Sequence, residues 1–101
     1  MLVYNITTKV NHPVVAEWIQ WQKEEHIPGV MATGLFAKYV FYKLLGHDDH
    51  EGATYIIQYE TDSREKYDEF LKKFADEFRD KAFKRWGNSF ITFRSLLEPV
   101  Q

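Results

Sequence analysis

The sequence predicts an α+β fold, with one four-stranded antiparallel sheet and two helices packed on one of its faces. Four segments alternate side chains with the period of a strand. Two longer stretches repeat apolar residues with the period of a helix, and the order is β-α-β-β-α-β. Right-handed crossovers turn that order into the ferredoxin-like arrangement, with both helices on the same side. A third observation concerns the other side. In Leu35–Leu45 apolar residues stand at odd and at even positions alike. Both sheet faces are therefore apolar, and the helices cover only one.

Leu2–Val10 is the first strand, with Leu2, Tyr4, Ile6, Thr8 and Val10 on one face and Val3, Asn5, Thr7 and Lys9 on the other. Asn11-His12-Pro13 ends it and starts a helix, because Asn is a strong N-cap and Pro is tolerated in the first turn. That helix is expected to run to His26, with Val15, Trp18, Ile19, Gln22 and His26 on one stripe, and to break or kink at Pro28-Gly29. Leu35–Leu45 and Ala53–Glu60 are the second and third strands, joined as a hairpin by the polar segment Gly46–Gly52. Asp62 or Ser63 caps the second helix. Its stripe of Tyr67, Phe70, Leu71, Phe74, Ala75, Phe78 and Ala82 is the clearest helical repeat in the chain. Gly87 ends it, Phe90–Leu97 is the fourth strand, and Pro99 stops that strand.

With 101 residues, 45% of them apolar and 17% aromatic, the chain has the size of one domain, residues 1–101, and enough apolar mass to fill a core. The formal net charge is −2, and the only basic cluster is Lys81, Lys84 and Arg85, with Arg79 nearby. It lies at a predicted helix end, where the dipole favours cations, so nucleic-acid binding is not expected. There is no cysteine, which removes disulfides, thiolate catalysis and Cys-based zinc sites and suits a reducing compartment. The start MLVYNITTKV lacks the pattern of a signal peptide, and no run approaches the ~20 apolar residues of a membrane span. A cytoplasmic protein is the expectation.

Leu35, Ala37, Tyr39, Phe41, Tyr55, Ile57, Tyr59, Ile91, Phe93 and Leu97 are assigned to the helix side. Val3, Phe36, Val40, Tyr42, Leu44, Ile56, Phe90 and Leu96 fall on the open side, mixed with Asn5, Lys38, Thr54, Gln58, Thr92 and Arg94. Reversing the register exchanges the sets and keeps the conclusion. An apolar face of roughly 400 Å² asks for a partner, and a second copy of the same sheet is the simplest one.

Four segments, MLVYNITTKV, EEHIPGVMATGLF, YIIQYETDSREKYDEFL and RWGNSFITFRSLLE, together resemble a small bacterial family of unknown function. The most specific pieces are His26-Ile27-Pro28, Gln58-Tyr59 and Phe83-x-x-Trp86-Gly87, while Gly29 stands where many relatives carry an acidic residue. That family is similar to the dimeric α+β-barrel superfamily, which includes cofactor-independent monooxygenases, haem-degrading enzymes, isomerases and proteins without known activity. The resemblance implies a homodimer through the sheet face. The haem-degrading branch uses an Asn on the first strand, a Trp in the sheet and a His on the second helix. Asn5 fits, but strands two to four hold no Trp and no His lies between Ser63 and Gly87. No cofactor is expected.

His26 is the sharpest candidate for chemistry. At a helix C-terminus its cation would be favoured by the dipole, and it would serve as a general base or a ligand contact. Its plain alternative is a capping His bonded to a backbone carbonyl before Pro28. Gln22, Trp18, Tyr39 and Tyr59 complete the expected lining of an apolar pocket between helix and sheet, Tyr55 being a further tyrosine there, with plain core as the alternative. His47, Asp48, Asp49, His50 and Glu51 lack the spacing of a metal site and read as a solvated hairpin tip. No phosphate loop, nucleophile elbow or paired catalytic carboxylates occur. The expected function is a homodimeric small-molecule binding or accessory protein. The alternatives are a cofactor-independent monooxygenase or isomerase acting on an apolar or aromatic substrate, with His26 as base, and a protein-interaction module.

Overall fold

In the computed structural model, which describes residues 1–46 and 48–100, the elements follow the predicted order. Strand β1 (Leu2–Asn11) leads through a short 3₁₀ turn (His12–Val14) into helix α1 (Val15–Trp21), a π turn (Gln22–His26) and helix α2 (Ile27–Ala32). Strands β2 (Lys38–Lys43) and β3 (Gly52–Thr61) follow, then helices α3 (Arg64–Lys73) and α4 (Ala75–Trp86), and strand β4 (Phe90–Leu97). The sheet order is β2-β3-β1-β4, every neighbour antiparallel. The molecule measures 38 × 33 × 19 Å. Its 19 Å thickness matches one sheet under one layer of helices, each layer being about 10 Å deep.

The first helical segment does not stop at Pro28. Pro28 lacks an N–H, and its ring would clash with the carbonyl four residues back. The π turn absorbs the conflict: the Ile27 N–H bonds to Gln22 O, five residues back, and Pro28 then sits in the first turn of α2, where no N–H is needed. The second helical segment is interrupted only at Phe74, whose φ of −127° leaves the helical region while helical bonds bridge it on both sides. Neither Pro nor Gly marks that distortion. Ser63 is the N-cap of α3, its Oγ accepting from the Lys66 N–H, and Gly87, at φ +57°, ends α4 where a Cβ would be strained.

The register settles the two faces. Tyr4, Ile6, Thr8 and Val10 pair with Tyr59, Ile57, Tyr55 and Ala53 on one side and with Leu96, Arg94, Thr92 and Phe90 on the other, and this is the helix face. Two corrections follow. Ile91, Phe93 and Leu97 lie on the open face, and Phe90, Thr92, Arg94 and Leu96, expected there, lie under the helices, because Phe90 takes the inward position opposite Val10 and packs into the core part that holds Trp86. Phe36 precedes β2 and is buried in the core, stacked 6.1 Å from Tyr4, instead of facing outward.

The core has two parts. One gathers Tyr4, Ile27, Val30, Leu35, Phe36, Ile57, Tyr59, Phe70 and Ala75, and the other gathers Val10, Trp18, Ala53, Tyr55 and Trp86. Trp18 anchors the second part. It is 2% exposed and lies 5.4 Å from the Tyr55 ring and 5.9 Å from Phe41. Trp18→Ala is expected to cost about 3–5 kcal/mol through lost burial and the cavity left behind. Urea unfolding measures this, and a loss under 1 kcal/mol would show that Trp18 is not an anchor.

Candidate functional site

Where the two parts of the core meet, they do not close completely. A cavity of about 60 Å³ remains between the helices and the sheet, walled by Tyr4, Thr8, Trp18, Gln22, Tyr59, Thr92 and their neighbours, with Arg79 and Arg94 among the lining residues. At ~30 Å³ per water it has room for about two waters or the polar end of a larger molecule. Gln22 Oε1 and Tyr59 OH are buried on residues 6% and 0% exposed, and neither has a hydrogen-bond partner. Buried polar atoms are normally paired, and leaving one unpaired costs about 1–3 kcal/mol. Thr61 Oγ1, Trp86 Nε1 and Asp49 Oδ1 are also unpaired, but their residues lie outside the cavity lining. Burial pushes the Tyr59 hydroxyl well above the usual phenol range, with Tyr4 and Tyr39 adding to the effect. Tyr59 is therefore a neutral group able to donate or accept one hydrogen bond. Burial also raises Tyr4, opposed by the Arg94 guanidinium beside it.

His26, the last residue of the π turn, also lines this cavity. Its ring lies 4.7 Å from Trp21 at an interplanar angle of 30°, and 5.5 Å from Phe78 edge to face. Among the described residues its side chain makes no cap hydrogen bond, and the helix does not end at it. The expectation of a dipole-favoured cation is likewise overturned. The helix continues past His26 to Ala32, and burial, then Arg94 and Lys81, lower its pKa from 6.5 to about 4. The ring is neutral near pH 7.

On the outer side of His26 lies a second hollow, of about 480 Å³, between the π turn and α4. It is lined by Trp21, Glu25, His26, Gly29, Phe78, Lys81, Lys84 and Arg85. Trp21, His26 and Phe78 belong to both hollows and form the partition between them. Gly29 leaves room for that partition: a Cβ there would sit 3.0 Å from Phe78 Cε1.

Of the residues expected in the site, His26, Gln22, Trp18 and Tyr59 are brought together. Tyr39 is not among them. It stands on the edge strand β2, 45% exposed, and Phe36 takes the place against Tyr59 at 5.3 Å. The sequence reading missed Trp21, Phe78 and the cationic side of the cleft. At the hairpin tip His47 lies outside the described residues, and among those described no group of three His, Asp or Glu is placed to hold a metal. Among the described residues no helix is long and apolar enough to cross a membrane.

Residues 1–100 match the family described as a domain of unknown function, DUF4286. A search of curated proteins finds no match. Among solved structures, an ethd family protein from Bacillus halodurans superposes with a TM-score of 0.74 at 13% identity, covering 99% of this chain and 100% of the other. A dimeric ferredoxin-like protein from an uncultured marine organism gives 0.72 at 12% identity, covering 100% and 96%. The cofactor-independent oxygenase SnoaB from Streptomyces nogalater gives 0.68 at 12% identity, covering 99% and 94%. At such identities the likeness shows the fold, which is ferredoxin-like.

Proposed function

The chain belongs to the DUF4286 family, a domain of unknown function, and from that starting point we propose that it is a homodimeric cytoplasmic protein that binds a small, mainly apolar molecule whose polar end enters the cavity between its helices and its sheet. The observation that carries this reading is a cavity lined by Gln22 and Tyr59, whose buried Oε1 and OH have no partners. Two unpaired polar atoms on side chains that line one hollow are costly for folding alone, and a ligand that reaches them with a carbonyl or hydroxyl would satisfy them. Trp18 forms the apolar wall, and His26 closes the outer side.

Binding is preferred over catalysis because of His26. A neutral imidazole can accept a proton, and SnoaB, with a similar fold, is a cofactor-independent oxygenase. Yet a ring with a pKa near 4 is a weak base at pH 7. The interaction-module alternative is weakened because the core is not filled and His26 does not serve as a cap.

Native mass spectrometry of the purified protein is expected to show a dimer carrying a bound small molecule. Tyr59→Phe and Gln22→Leu are expected to lose that molecule while each gains about 1 kcal/mol of stability, because an unpaired buried polar atom is removed. Bare protein in native spectra, together with variants less stable than the parent, would show that the cavity is only imperfect packing.

A further inference from the structure

We infer that the outer cleft selects a planar aromatic anion, such as an aryl carboxylate, laying its ring against Trp21, His26 and Phe78 and its charge toward Lys81, Lys84 and Arg85. The inference concerns the outer cleft alone and goes beyond the binding reading above.

Three observations meet at this cleft. Its volume of about 480 Å³ lies within the range of small-molecule sites, whereas the inner cavity of about 60 Å³ cannot hold a whole ligand. Its floor is aromatic: the Trp21 and His26 rings lie 4.7 Å apart, tilted by 30°, and Phe78 meets His26 edge-on at 5.5 Å. Its rim holds the only basic cluster of a chain whose net charge is −2. Lys81, Lys84 and Arg85 contribute three positive charges to the lining against the single carboxylate of Glu25.

These cations are not committed elsewhere by strong pairs. Lys81 pairs with Glu77 at 3.2 Å and Arg85 with Glu17 at 3.8 Å, both exposed, and such pairs contribute only about 0–1 kcal/mol. Lys84 makes no ion pair among the described residues. Arg85 also lies 4.1 Å over the Trp86 ring, which holds its guanidinium at the rim. The helix dipole accounts for basic residues in the last turn of α4, but Lys81 lies before that turn and still faces the cleft. Gly29 completes the shape, since a side chain there would press on Phe78.

The test compares 2-naphthoate with the neutral isostere 2-naphthylmethanol by isothermal titration calorimetry on the intact protein, with amide shifts locating the site. Naphthoate is expected to bind about tenfold more tightly than the alcohol, as expected for charge-assisted contacts, and less tightly as salt rises. The Lys81→Gln/Lys84→Gln variant, altered only on the exposed helix surface, is expected to erase that preference and leave the alcohol's affinity unchanged. Lys81→Arg/Lys84→Arg is expected to keep it. Equal binding of the two probes, no binding of either, or a preference that survives the glutamine variant overturns the inference. Each of those results is separate from the native spectra and the Tyr59→Phe result, which alone decide the inner cavity.

Discussion

The Ile91→Asp/Phe93→Asp variant is expected to sediment as a folded monomer at micromolar concentrations at which the unaltered chain sediments as a dimer. Ile91 and Phe93 are 60% and 67% exposed on β4, and Leu97, Val3 and Tyr42 share the same open face. Covering a large apolar side chain is worth about 1.5–3 kcal/mol. In a two-fold dimer each substitution counts twice, and the new carboxylates would be buried against one another. A loss of several kcal/mol weakens association by more than about a thousandfold. The fold itself is expected to survive, because neither side chain touches the helix side of the sheet. An unaltered chain that runs as a monomer at tens of micromolar would end the dimer proposal.

Acidification is expected to weaken the folded state through His26, and His26→Phe is expected to remove that weakness. The unfolded imidazole takes up its proton near pH 6.5, the folded one only near pH 4. Between those values the unfolded state binds more protons, so stability falls as pH falls through the window, and this contribution is constant above and below it. A shift of this size corresponds to about 3 kcal/mol, reduced to about 2 kcal/mol because the ring borders the open cleft. Phe carries no proton and suits a place between Trp21 and Phe78. Urea unfolding at pH 7 and pH 4.5 reads the difference between parent and variant. Parallel losses in both proteins would assign the acid sensitivity to other groups.

Much of the fold could be read from periodicity. The stripe from Tyr67 to Ala82, the Ser63 cap, the Gly87 stop and the limits of β4 were all legible because each rests on local spacing or backbone preference. The inward side of β4 was not legible. Phe90 and Leu96 compete with Ile91, Phe93 and Leu97 for the same core, and only pairing with Val10 on β1, some 80 positions earlier, decides between them. Pro28 misled for a related reason. Its usual effect is to end or kink a helix, and the turn of different pitch that accommodates it shows only once Trp18, Gln22, Ile27 and Val30 are known to be the buried set. In the site, Gln22, Trp18, Tyr59 and His26 followed from the helix stripe and strand alternation. Trp21, Phe78 and the three cations required the packing of α4 beside the π turn, a contact between distant segments.

The π turn also shows in the spacing of the buried residues. The buried positions Trp18, Gln22, Ile27 and Val30 are spaced by four, five and three residues. Remove one residue between Gln22 and Ile27 and the spacing becomes four, four and three, that of an ordinary helix with the same inward face. What the additional residue provides is a place for His26 off the regular stripe, between Trp21 and Phe78. A variant shortened by one residue between Gln22 and Ile27 would keep the inward face but lose the place for His26, and with it the partition between the two hollows.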